Sequence, residues 1–338
     1  MSSWPLLAVV ATLPLALASP VRPGAETSAP TRLVFEVTPA VDLFFHVRTL
    51  AADASASVPA EFAPAVEAVR ALDKELGGFS LAWGPVEGLL PGCKGAADVE
   101  AAFARAPETF ELRPGQNVGL RAGALRIAAA LKAVEPAFLT GTWPAHERAI
   151  QAARARLAQG FEPKEAACLA YHMKSLGMSD PELAIPVYLT MSAPFPGAVT
   201  HRGEGGRGVC FVAIEGPVDM QGSLLFETVL HEATHALDVA SEASVLEDLR
   251  EALGAAGLTP RERAFRDVPH TLMFMQAAES IRRTVVPDHV DYGVASDYYA
   301  RIGPSAESVR ELWHDHLEEK LTRAEAVAEI VRAVAPPK

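Results

Sequence analysis

Apolar residues recur at three- and four-residue steps over 60–76, 117–134, 144–159 and 163–176, predicting four amphipathic helices in the first half of the chain. Pro144 and Pro163 stand where a first helical turn tolerates proline, and Gly160 and Gly177 where helices stop. Ahead of them, "RLVFEVTPAVDLFFHVRTLA" opens on β-branched and aromatic residues, so a strand is expected near Leu33–Val37. The pattern changes near Pro181. "AIPVYLTMSAPFP" (184–196) and "GVCFVAIEG" (208–216) are strand-like, separated by a Gly-rich turn at "HRGEGGRG". Helical periodicity returns over 221–243, 244–256, 271–284 and 306–333, the last in one or two pieces. The expected fold class is α+β, mostly α-helical. A mainly helical N-terminal region covers 32–180, and a second region with a small sheet covers 181–338.

The chain has 338 residues, 49% of them hydrophobic and 21% charged, which is globular composition. A net charge of −12 argues against a nucleic-acid partner, because phosphate binding requires a basic face. Residues 1–18 carry an uncharged apolar run ending in Ala16-Leu17-Ala18, the small-x-small pattern of a secretory signal, although no Lys or Arg precedes it. Residues 19–31 are Pro/Ser/Ala-rich and read as a linker. Export to the periplasm or medium is therefore expected, with no stable membrane insertion after signal removal. Cys93, Cys168 and Cys210 allow one disulfide and a free thiol, or no disulfide.

The chemistry concentrates in "TVLHEATHALDV", residues 228–239. A spacing of four is one helical turn, so His231 and His235 point the same way and can converge on one Zn2+ ion. Glu232 lies about 100° around the helix. That places its carboxylate beside the metal, where it can take a proton from a water the metal acidifies. Five letters are a weak signal alone. Thr228, Val229, Leu230, Ala233, Thr234, Ala236 and Leu237 strengthen it, because an uncharged surround implies a buried helix whose polar side chains need partners. The competing reading is a pair of core histidines satisfied by hydrogen bonds.

Residues 228–237 resemble the active-site helix of the zincin metallopeptidases. The resemblance implies a zincin-like lobe in which His231 and His235 bind zinc and Glu232 activates water to cleave a peptide or protein substrate. It also implies an edge strand above the helix that holds extended substrate, a role "GVCFVAIEG" is placed to fill. "ALDVASEAS" lacks the glycine and third histidine of the metzincin extension. The resemblance therefore points to the gluzincin-like branch, with a glutamate from a later helix as third ligand.

Glu279 is the candidate for that glutamate. It follows an uncharged run, Leu272–Ala278, and a carboxylate on so apolar a helix needs a metal or a charge partner. Arg282 and Arg283, at i+3 and i+4, offer the competing salt bridge. His270 is the runner-up ligand. It lies nine residues from Glu279, on the opposite helix face, so one straight helix does not present both to one ion. Asp238 and Glu242 share the histidine stripe but lie too far along the axis to join the ligands. Oxyanion stabilisation falls to Tyr292, Tyr298, Tyr299 or His270, and His314 and His316 read as surface residues. Two further readings stand beside hydrolysis: a degenerate zincin that binds without turnover, and a helical scaffold with a chance HExxH.

Overall fold

A computed structural model describes residues 31–335 except 79, 114–115, 195–196, 216–219, 221, 242 and 261. The expected signal, most of the linker and Glu242 lie outside the described residues. The fold is mostly helical with a small mixed sheet, as the pattern predicts. Strand β1 (Arg32–Glu36) leads into α1 (Pro39–Ala52), α2 (Ala63–Glu75), α3 (Gly84–Glu87) and α4 (Ala96–Phe103). A two-stranded ribbon, β2 (Phe110–Arg113) and β3 (Gln116–Val118), precedes α5 (Leu120–Ala137), α6 (Trp143–Gly160) and α7 (Glu165–Leu176). One π-helical turn over Phe138–Thr142 joins α5 to α6.

Then follow β4 (Ala184–Thr190), β5 (Ala198–Arg202), β6 (Gly208–Ala213), α8 (Ser223–Ala240), α9 (Val245–Ala255) and α10 (Arg263–Thr284). The short α11 (Tyr292–Ala295) and α12 (Tyr298–Ile302) lead to α13 (Pro304–Leu317) and α14 (Arg323–Val334). No described helix is long and apolar enough to cross a membrane.

The main sheet has the order β1-β4-β6-β5, with β5 antiparallel and the other pairs parallel. Alternation along the strands sends residues to two separate cores. Leu33, Ile185, Val187, Leu189, Cys210 and Val212 face a core with α6–α10, α13 and α14. Tyr188, Val209 and Phe211 face a second core with α1, α2, α4 and α5. Because β1 pairs with β4, and α6 and α7 share the core of α8 and α10, residues 32–180 and 181–338 build one three-layer body.

Two local expectations need correction. The expected 184–196 strand ends at Thr190 as β4, and a separate strand that was not expected, β5, follows it and takes His201 and Arg202 from the supposed turn. Strand β6 is consequently interior, and the edge strands are β1 and β5. Helix α10 starts at Arg263, so "RAFRDVP" is helical and Pro269 sits inside it. Proline forfeits one backbone hydrogen bond there. Val268, Pro269, Leu272 and Met273 are buried in return, which keeps the helix intact. The three cysteines are buried and free. Helix α8 lies unusually close to the sheet, because a Cβ at Gly208 would stand 2.7 Å from the Ala236 Cα.

Candidate metal centre

Helix α8 is buried from Leu225 to Leu237 with the exception of half-buried His235, as the uncharged surround predicts. It packs on one side against β5 and β6 and on the other against α10. His231 and His235 come from α8, and His270 from the middle of α10. These three form the one group of three or more potential ligands among the described residues, all ligand atoms lying within 4.8 Å of one another.

Imidazole centres bound to one tetrahedral ion at about 2.1 Å from nitrogen stand about 5.2 Å apart. Here the centres are 5.1 Å apart for His231–His235, 4.9 Å for His231–His270 and 5.5 Å for His235–His270. The Nε2 atoms of His231 and His270 are 3.0 Å apart. Burial pushes all three rings down, His231 well below its ordinary value, His235 to about 4 and His270 to about 3, so they are neutral at pH 7. Neutral imidazoles offer the lone pairs a metal needs. The donor set therefore fits a transition-metal ion and leaves one tetrahedral position open.

What holds these rings differs. Phe274, one turn after His270 on α10, stacks on His231 at 3.8 Å and 21°. The buried His231 Nδ1 has no hydrogen-bond partner among the described residues, so packing orients this ring. His270 Nδ1 meets the Tyr298 hydroxyl at 3.2 Å. If Nε2 held a metal, Nδ1–H would donate to that oxygen and so fix the tautomer. Tyr298→Phe is expected to weaken metal affinity by about 10–100-fold, measured by chelator competition. Unchanged affinity would show that this bond does not orient the ligand.

Glu232 lies on the β5 side of α8. The Thr200 hydroxyl is 2.8 Å from its Oε2 and 2.8 Å from its main-chain oxygen. Burial raises the carboxyl to about 7 against the opposing pull of that hydrogen bond. A base poised near the working pH is the condition for general acid–base chemistry. Thr200 is a contact of Glu232 that the sequence did not announce, since a lone threonine in a polar stretch carries no pattern.

Glu279 does not join the histidines. It lies nine residues beyond His270, about 13.5 Å along α10 and turned to the opposite face. Arg282 and Arg283 both donate to its carboxylate. Burial alone would raise this group, but the hydrogen bonds and charges of Arg283 and Arg282 outweigh it and hold the carboxyl below its usual range. This corrects the expected ligand set: the salt bridge takes Glu279, and His270 stands third.

Arg282 also pairs with Asp291, while Glu227 Oε2 accepts from His289 Nε2 at 2.7 Å and from the Tyr292 N–H at 2.6 Å. Glu279 thus belongs to the anchorage of the segment that brings Tyr292 and Tyr298 to the centre. Tyr292 stacks on Phe274, 5.6 Å between ring centres, and Tyr299 packs under the Arg310 guanidinium. Of the four oxyanion candidates, His270 is thus taken into the ligand group and Tyr298 alone hydrogen-bonds to it. Asp238 binds Ser244 and Arg250, each at 2.6 Å, tying α8 to α9. His316 bonds the Leu321 carbonyl, and His314 is exposed.

A polar chain secures the far side of α8. Thr234, between the two α8 histidines, contacts His172 Nε2 at 2.8 Å, and His172 Nδ1 contacts Ser280 at 3.0 Å. Burial pushes His172 from its ordinary 6.5 down to about 3. The unfolded chain therefore binds a proton that the folded chain refuses between these values. This ring's contribution is fully present above pH 6.5 and is lost toward pH 3, at about 1.4 kcal/mol per pH unit. Denaturant titrations at pH 6 and pH 5 are expected to show a slope steeper by that amount in the parent than in His172→Gln. Equal slopes would mean that the buried ring titrates normally.

Comparison with models of known families, with curated proteins and with solved structures found no match.

Proposed function

We propose that the chain is a zinc-dependent hydrolase that cleaves peptide bonds, with His231, His235 and His270 as ligands and Glu232 as general base. The observation that carries this reading is the conjunction of a converging histidine group from α8 and α10 with a carboxylate on α8 raised to about 7. A zinc ion bound there supplies Lewis acidity, acidifying a water and polarising a carbonyl.

The chain's own residues supply the rest. Glu232 takes the proton of the attacking water and returns it to the departing amine. Thr200 holds the carboxylate in place from β5. Half-buried His235 and His270 leave an approach to the open position. Edge strand β5, whose Thr200 meets Glu232, is where an extended substrate would add to the sheet.

The test is cleavage of a peptide library by zinc-reconstituted protein, with chelated protein as control. Zinc-dependent cleavage supports the reading. Stoichiometric zinc without cleavage of any peptide would favour the non-catalytic binding protein, and no stoichiometric zinc would favour the chance motif.

A further inference from the structure

Asp42, in the first turn of α1, is fully buried, yet no arginine or lysine pairs with it among the described residues. Its Oδ1 accepts the Met191 N–H at 2.6 Å, just past the carboxyl end of β4. Its Oδ2 lies 2.7 Å from His146 Nδ1 on α6. Burying a carboxylate costs several kcal/mol unless hydrogen bonds and a charge partner offset it, and here the Met191 N–H and His146 are the partners. Held this way, His146 has Nδ1 engaged and Nε2 pointing away from Asp42, with 15% of the side chain exposed. A carboxylate behind one ring nitrogen is the arrangement that orients histidine ligands of metals.

A second imidazole faces this one. His46 lies one turn after Asp42 on α1, with its ring centre 5.2 Å from that of His146. The spacing equals the roughly 5.2 Å expected for two imidazoles on one tetrahedral ion, and falls within the 4.9–5.5 Å range of the α8–α10 group. No hydrogen bond engages the His46 ring among the described residues. Burial, with His146 beside it, pushes His46 down to about 4, so the ring is neutral at pH 7. Phe62 and Phe138 wall the pair at 5.1–5.9 Å, and Phe138 opens the π-helical turn, an irregularity frequent at functional sites.

We propose that His46 and His146, with Asp42 fixing His146 from behind, form a second site for a borderline transition-metal ion such as Zn2+, Ni2+ or Cu2+. Two protein nitrogens leave the remaining positions to water or an exogenous ligand. The site binds more weakly than the three-histidine group and bridges α1 to α6 at the end of β4. It stands apart from the proposed hydrolytic centre in sequence and in donor set.

The experiment is calorimetric titration of the chelator-stripped full chain with Zn2+ alone. The expected isotherm shows two classes of site, one tight and one weaker. His46→Gln and His146→Gln each remove the weaker class and leave the tight one. Asp42→Asn weakens the weaker class about tenfold or more. A His231→Ala/His235→Ala double variant loses the tight class and keeps the weaker. A single class in the parent that vanishes with the double variant overturns the proposal. So does a weaker class that survives His46→Gln, which would be adventitious binding. Should His146→Gln or Asp42→Asn unfold, by circular dichroism, His46→Gln decides, because it leaves the Asp42–His146 pair intact. A weaker class without a tight one would sink the hydrolase reading and leave this one standing.

Discussion

Glu232→Gln is expected to keep zinc at the level of the parent and to lose peptide hydrolysis by about 10²–10⁴-fold, the usual contribution of a positioned base. The amide preserves shape and can still accept from the Thr200 hydroxyl, so the helix and its ligands stay in place. What disappears is the oxygen that holds a proton near neutral pH. Measuring kcat/KM beside bound zinc separates the two effects. Undiminished turnover would remove Glu232 as the base. Loss of zinc together with activity would mean that the carboxylate supports the ligand set instead.

Equally large is the contrast between two residues of α10. His270→Ala leaves two imidazoles one turn apart on α8, and zinc affinity is expected to fall by about 100-fold or more. Glu279→Ala is expected to leave affinity within a few-fold. Its cost is in stability, about 1–2 kcal/mol, discounted because Arg282 and Arg283 are about one-third exposed. Chelator competition and denaturant unfolding on both variants distinguish ligand from anchor. A strong loss of zinc in Glu279→Ala with normal binding in His270→Ala would reverse the assignment made from the geometry.

Periodicity revealed most of this fold because most of its helices bury one consistent stripe, and the stretch around His231 was legible because seven uncharged neighbours require a buried helix. The failures have physical causes. Strand β5 spells "AVTHR", in which Thr200 and His201 find partners that only the folded chain supplies, Glu232 and Glu87. The helix expected over 271–284 stops short of Pro269, yet tertiary burial carries α10 through it. That misreading placed His270 at a boundary instead of mid-helix against α8. Glu279 was ambiguous because burial demands a counter-charge without saying which, and the neighbouring arginines supply it. Asp42, His46 and His146 are about 100 residues apart in part, with no spacing rule to link them.

The pairing of β1 with β4 has a consequence for how this chain could be controlled. Arg32 and Ala184 are ladder partners, so the sheet under the HExxH helix cannot close until the first strand has waited for some 150 residues to be made. A helical leader half that is clipped off to release a finished enzyme is therefore a poor description of residues 32–180. Excising them would strip β4 of its neighbour, bare the apolar face of Tyr188 and Phe211, and leave an unprotected strand edge prone to self-association. A cut that removes residues 32–180 would therefore dismantle the sheet on which α8 packs.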